Sequence, residues 1–364
     1  MALNKVNLYR IDGSLGSVSN IQTSALNGGA LAGTRNRIIN GDMRISQRGT
    51  SFPAAASGYN LDRWLWAKLG AMACTVSQDS DVPNATFQNS YKVDVTTVDT
   101  SISSTDYAVV IQKIEGYNVR DLIGTPFTLS FWVKSPKTGT HCVGFRNNTQ
   151  VRSFITTYSI TAINTWEYKT ITVAGGLIND TGWDWTNGTG LEVDFVLASG
   201  SSYQTTADTW RVGNFLSTSA QVNVMDNVAN DFYLTGVQLE PGTVATSFER
   251  RPISMELELC SRYFQLLTYY GGAYTGVNVC YFSPEGINKL RGIPAIASSI
   301  NGFEFFNNSI WTSAATSTGA TLSIYTAPPP FGTWAIQVDG LIGNGTVIPT
   351  TTSAAILGTL SAEL

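Results

Sequence analysis

Charge is what this sequence has least of. Asp, Glu, Lys and Arg make up 13% of its 364 residues, about half the fraction usual in a soluble globular chain. The balance is −4 and the isoelectric point is near 5.1, which excludes the clustered Lys and Arg of a nucleic-acid groove. Histidine is rarer still. His141 stands alone in KTGTHCVGFRN, with no G-x-S-x-G elbow in the chain to supply a nucleophile. The four cysteines, Cys74, Cys142, Cys260 and Cys280, form no C-x-x-C pair, so the usual zinc spacings are absent; all four are expected to be buried free thiols. No run approaches 18 apolar residues, and MALNKVNLYRIDGSLG lacks the apolar centre of a signal peptide. The expectation is a product made in the cytoplasm, without export by a cleaved signal and without membrane insertion. Glycine-rich GGALAG and LIGNGTV lack the lysine and following helix of a phosphate loop.

Thr, Ser, Asn and 34 glycines fill the space left by charge, a polar, β-branched, turn-rich composition that suits strands rather than helices. The length favours two domains plus a tail. Residues 1–36 hold no strand or helical period, and read as a flexible tail or as an arm that orders against a partner. From Ile38 onward period two dominates. In PFTLSFWVKS, Phe127, Leu129, Phe131 and Val133 alternate with Thr128, Ser130, Trp132 and Lys134; in GLEVDFVLASG, Leu191, Val193, Phe195 and Leu197 alternate with Glu192, Asp194, Val196 and Ala198. One apolar face predicts antiparallel strands packed on one side. Weaker runs lie in SYKVDVTTV, YAVVIQKIEG and WEYKTITVAG. Together they predict an all-β chain: a jelly-roll β-sandwich over 37–251, then a smaller C-terminal β domain over 266–364.

In DFYLTGVQLEPG the phase slips at Thr235-Gly236, where a bulge with glycine would sit, and Pro241-Gly242 stops the strand. SFERRPISMELELCSRYFQLL follows as the one credible helix. It is assigned as a short linker over 252–265, with Ser254 as the cap and Met255, Leu257, Leu259 and Phe264 as its apolar contacts. Arg250 and Arg251 then fall at a junction, where ion pairing is the plain expectation.

NRIINGDMRISQRGTSF followed by YNLDRWLWA resembles the opening of a carbohydrate-binding-module-like jelly roll found in bacteriophage tail fibre proteins, in which INGDF…QRG precedes DRW. GVQLEPGTVATSFERRP followed by ELELCSRYFQ is similar to the close of that domain and the helix after it. The resemblance covers residues 37 to 265, with Met43 where the pattern has an aromatic. It implies a non-enzymatic tail fibre or receptor-binding protein of a virion. Such a protein is a homotrimer, held to another virion protein through residues 1–36 and presenting residues 266–364 to a host surface glycan or protein. In related jelly rolls a structural calcium is held between the opening and closing strands, and Asp42 and Asp231 stand nearest those positions. One acid per strand is too few to define a site, so no cofactor is expected.

Glycan contact calls for flat aromatic faces beside Asn, Asp and Thr. NDTGWDWTNGTG sets Trp183 and Trp185 at one parity, and Trp210 follows in TADTWRVGN; each either packs on the sheet or stacks on a sugar. In the terminal region Tyr269, Tyr270 and Tyr274, and Trp311, are expected in exposed loops. Hydrolysis would need paired carboxylates. Glu192 and Asp194 share one strand face, but the pattern puts that face in solvent, and no catalytic set is expected. Two rivals remain: a capsid-decorating or baseplate component that binds no receptor, and a depolymerase that cuts the polysaccharide it holds.

Overall fold

The computed structural model describes residues 34–54, 56–265 and 363 and, as backbone, residues 266–268 and several short strands on either side. Between residues 51 and 241 the chain forms β1 (Ser51–Ala54), β2 (Gly58–Tyr59), β3 (Trp64–Leu69), β4 (Ala73–Asp79), β5 (Ser90–Thr97) and β6 (Tyr107–Glu115). There follow β7 (Phe127–Lys134), β8 (Gly139–Arg146), β9 (Arg152–Ile160), β10 (Glu167–Val173), β11 (Thr189–Ser199), β12 (Trp210–Val212) and β13 (Asp231–Pro241). A seven-stranded sheet runs β12-β9-β8-β11-β6-β3-β2 and a six-stranded sheet runs β10-β7-β13-β5-β4-β1. Pairing is antiparallel, and the chain crosses repeatedly between the sheets, so that β11 lies between β8 and β6 and β13 between β7 and β5. This is the jelly-roll sandwich that the alternation predicts.

The inward positions read from the sequence build the core. Phe127, Leu129, Phe131 and Val133 of β7 and Leu191, Val193, Phe195 and Leu197 of β11 are fully buried in one cluster with Trp64, Trp66 and Tyr91. Phe131 meets Phe195 edge to face at 5.1 Å, the arrangement that ring quadrupoles favour.

The bulge sits where the phase slips. Thr235 pairs with Trp132 and Gln238 with Ser130, so Gly236 and Val237 together oppose one residue, and Gly236 takes φ +61, a left-handed conformation open to glycine. Val237, displaced from the ladder, donates its N–H to Gly41 O at 2.9 Å and accepts from Asn36 Nδ2 at 3.1 Å. Gly41 lies so close that a Cβ there would overlap the Val237 carbonyl. Asn40 completes this seal: its side chain bonds Ile45 N, Ile45 O and Asp62 O at 2.8–2.9 Å. The INGD stretch is thus the plug of the bulge in the closing strand.

Two expectations need correction. The second face of β11 is not solvated: Glu192 and Asp194 are 1% and 0% exposed. Residues 200–209 and 213–222, on either side of edge strand β12, form a strap over that side of the seven-stranded sheet and border a second apolar cluster, Val109, Ile111, Cys142, Ile155, Val196 and Leu216. Helix α1 (Ile253–Ser261) begins after Pro252 with no side-chain cap, and Phe264 belongs to the next strand, β14 (Phe264–Thr268). The helix also buries Glu256 and Cys260 while Met255 and Leu257 stay exposed. Glu256 is drawn inward by Asn40 N (2.5 Å) and Arg251 (3.3 Å), a polar anchor strong enough to turn the apolar side outward. Arg251 also donates to Ile38 O and Asn36 O, so the expected ion pairing holds for Arg251, through Glu256, while Arg250 donates to Thr86 O. Cys74, Cys142 and Cys260 are buried free thiols, and the Cys280 side chain lies outside the described residues.

Candidate functional site

The structure gathers Trp183, Trp185 and Trp210 into one cluster. Trp183 and Trp185 stack at 4.9 Å and 4°, Trp210 meets Trp183 edge-on at 5.6 Å, and Phe154 backs Trp210 at 5.5 Å. All three are half-buried against the main core. Their indole N–H groups are already used, on Asp180 (3.0 Å), Asn179 (3.1 Å) and the Gly176 carbonyl (3.0 Å). The three rings thus spend part of their faces and all of their N–H donors on protein partners.

The strap over the seven-stranded sheet offers a different surface. Beneath it, Arg146 of β8 lies between Asp194 (Nε 2.6 Å, Nη2 3.1 Å) and Glu192 (3.0 Å) of β11, with Lys113 3.4 Å from Glu192. Burial raises the Glu192 pKa, which Arg146 and Lys113 oppose and Asp194 reinforces. The remaining Arg146 nitrogen donates to Asn214 Oδ1 at 2.7 Å. Ser153 latches the same turn, donating to Gly213 O (2.6 Å) and accepting from Phe215 N (2.9 Å).

Edge strand β12 and the strap segments on either side of it line an open depression of about 480 Å³: Gln204, Thr205, Thr206, Arg211, Val212, Phe215 and Ser219. Arg211 and Val212 are exposed and Phe215 half-buried. Arg211 is aimed by Thr206 Oγ1, which accepts from its Nη2 at 2.8 Å. A ring, a methyl-bearing wall, an amide, hydroxyls and one guanidinium converge there, the mixture that fits a polyhydroxylated ligand in a shallow site. Sequence reasoning missed this groove. Its one signal is the long stretch between β11 and β13, in which a three-residue strand, Trp210–Val212, is flanked by connections without period two, since long connections are commonly functional.

The other candidates are placed as follows. Asp42 is buried against Arg44 (2.5 Å), and its pKa is raised by burial despite that neighbour. Asp231 pairs with Lys92 (3.1 Å) and accepts from the Tyr233 hydroxyl (3.1 Å). Each carboxylate has a cation of its own, and among the described residues no three His, Cys, Asp or Glu side chains gather as metal ligands. Tyr274 and Trp311 lie on strands, Ala273–Gly276 and Ile310–Ser313, rather than in the expected loops. Their side chains, with Tyr269 and Tyr270, lie outside the described residues.

No protein-family model and no curated protein sequence matches the chain. Among solved structures it is similar to the enzymatically active domain of bacteriophage CBA120 tailspike protein 4, at 17% identity over 57% of this chain and 21% of that one, with a TM-score of 0.32. It is also similar to a CBM4 structure at 14% identity (56% of this chain, 98% of that one, TM-score 0.31). A third is the family 11 carbohydrate-binding module of Clostridium thermocellum, solved with a mixed-linked tetrasaccharide, at 12% identity (54% and 100%, TM-score 0.28). The chain thus spans about a fifth of the tailspike domain's length. Likenesses this remote transfer no residue role.

Proposed function

We propose that this chain is a glycan-binding adhesion protein: a tail fibre component of a phage virion that mediates host adsorption as a homotrimer. The observation that carries the glycan reading is the open groove on the strap, where Arg211, Thr205, Thr206, Gln204 and Ser219 surround Phe215. The virion assignment rests on the INGD…QRG…DRW and LEPG…ERRP motifs. Residues 1–36 would attach to another virion protein, and residues 266–364 would form a second domain facing the host. Single shallow sites of this kind bind in the millimolar to micromolar range, roughly −4 to −8 kcal/mol, and three copies on one fibre gain avidity. Against a hydrolase stands the burial of the paired acids: Glu192 and Asp194 are neutralised by Arg146 and closed to substrate.

The test is binding of the purified chain to host surface polysaccharide, with mass by light scattering. Arg211→Ala and Phe215→Ala should each weaken binding on the order of tenfold or more. Loss of binding in Trp185→Ala with Arg211→Ala unaffected would move the site to the tryptophan cluster and refute the groove. Release of reducing ends would replace adhesion by depolymerisation.

A further inference from the structure

The motif residues Gln47-Arg48 and Asp62-Arg63 take no part in the groove or in the tryptophan cluster. They converge instead on the start of β14 and on Glu363. Arg63, at left-handed φ +72, lays its guanidinium 3.5 Å from the Tyr263 ring centroid. It donates to Lys113 O at 2.5 Å and forms an ion pair with Glu363. Arg48 lies 3.6 Å from the Phe264 ring centroid, donates to Glu363 Oε1 at 2.9 Å and is 3.7 Å from Asp62. Gln47 holds the Asp62 carboxylate through its N (2.9 Å) and Nε2 (2.5 Å), and Nε2 also reaches Phe264 O at 3.0 Å. The side chains of Asp62, Arg63 and Glu363 are 1%, 1% and 6% exposed.

The backbone adds an independent observation. β14 pairs antiparallel with strand Ile356–Ser361, Phe264 opposite Ser361 and Leu266 opposite Thr359, so Glu363 follows two residues beyond the strand that β14 holds. We infer that the Gln47-Arg48/Asp62-Arg63 cluster is a receptor for segment 356–363 of this same chain, so that the chain beyond β14 is tied back to the jelly roll through strand Ile356–Ser361, whose other edge carries Ala295–Ala297, rather than hung from one linker. The chemistry is charge balance in a buried place. Two guanidiniums face two carboxylates, and among the described residues Glu363 is the one acid within ion-pair distance of Arg63. Without it a cation in a nearly water-free site is left uncompensated, which is strongly unfavourable. The aromatic rings beneath both guanidiniums favour them as cations and limit their orientation.

The test is hydrogen exchange by mass spectrometry on the full chain, native against Glu363→Gln. Amides of 264–268 and of 356–361 should accelerate together, on the order of tenfold or more, while those of β11 keep their native rates. Unchanged exchange in both segments, or acceleration of 356–361 alone, would overturn the receptor assignment. Arg48→Gln avoids the strained backbone at Arg63 and should accelerate the same two segments to a smaller degree, because the Arg63–Glu363 pair remains. The double variant should fall short of the sum of the two single ones, because the Arg48–Glu363 contact is lost only once; fully additive acceleration would count against it. Light scattering should give one mass for native and Glu363→Gln protein. A lower mass in the variant would mean that the segment reaches into another copy, and would overturn the intramolecular clamp.

Discussion

Arg146→Met removes the cation from beneath the strap, and the structure sets the size of the effect. Arg146 is opposite Glu192 in the β8–β11 register, and Gly144 opposite Asp194, so one guanidinium spans both acids at 2.6–3.1 Å. With methionine there, two buried carboxylates keep only Lys113 at 3.4 Å from one of them. Removing one partner from a buried ion pair costs about 3–5 kcal/mol. At an effective dielectric near 20, a single unit pair about 4 Å apart is worth about 4 kcal/mol before desolvation, the same order of magnitude. Urea denaturation followed by tryptophan fluorescence should therefore show a loss of roughly 3 kcal/mol or more at neutral pH. The pH dependence gives a second readout. Glu192 already has a raised pKa, from burial first, and without Arg146 the opposing pull is weaker. An acid whose folded pKa lies above its unfolded one gains a proton on folding, so stability falls as pH rises through that window. The deficit of the variant should accordingly shrink as pH is lowered from about 7.5 to about 5. A loss below about 1 kcal/mol, the size of an exposed pair, or a deficit indifferent to pH, would refute the buried network.

Two further predictions concern the scaffold. Gly41→Ala places a methyl on the Val237 carbonyl and should destabilise by roughly 2 kcal/mol or more, read as a lower melting temperature; an unchanged one would show that the bulge does not depend on that close approach. His141 is buried beside Tyr158, with Nε2 2.9 Å from Lys137 O, and burial lowers its pKa from 6.5 to about 4. The unfolded chain then binds more protons between those values, so stability is lost as pH falls through that window, by up to about 3 kcal/mol. His141→Phe should remove that slope from the pH dependence of the urea midpoint, and a slope that persists would place its origin elsewhere.

Local rules carried the interior and failed at the second layer. Alternation at 127–133 and 191–197 identifies the core face, and the phase slip at Gly236 identifies the bulge, because both depend on neighbours in sequence. The burial of Glu192 and Asp194 does not. It depends on Arg146, nearly fifty residues away on a neighbouring strand, and on a strap with no period of its own. The helix misled for the same reason: Met255 and Leu257 read as inward until Asn40 and Arg251 are seen to claim Glu256. Trp183, Trp185 and Trp210 were legible as candidates, but only the structure shows that they occupy one another.

The buried charges and the groove explain each other. An Arg–carboxylate cluster under a strap adds little net stability over an apolar one of equal volume, so its presence calls for a positional reason. Arg146 supplies one by reaching Asn214, in the turn that Ser153 latches on both sides and that separates Arg211 and Val212 from Phe215. Those three residues line the groove. A shallow polar site has few contacts, and each side chain ordered on binding offsets about 0.5–1.5 kcal/mol of what it gains. A strap fixed from below by charge and from the side by a hydroxyl has already lost that freedom on folding. Glu192 and Asp194, expected on a solvated face, therefore act best as a foundation that fixes the turn carrying this groove, the rigidity that the proposed glycan site would need.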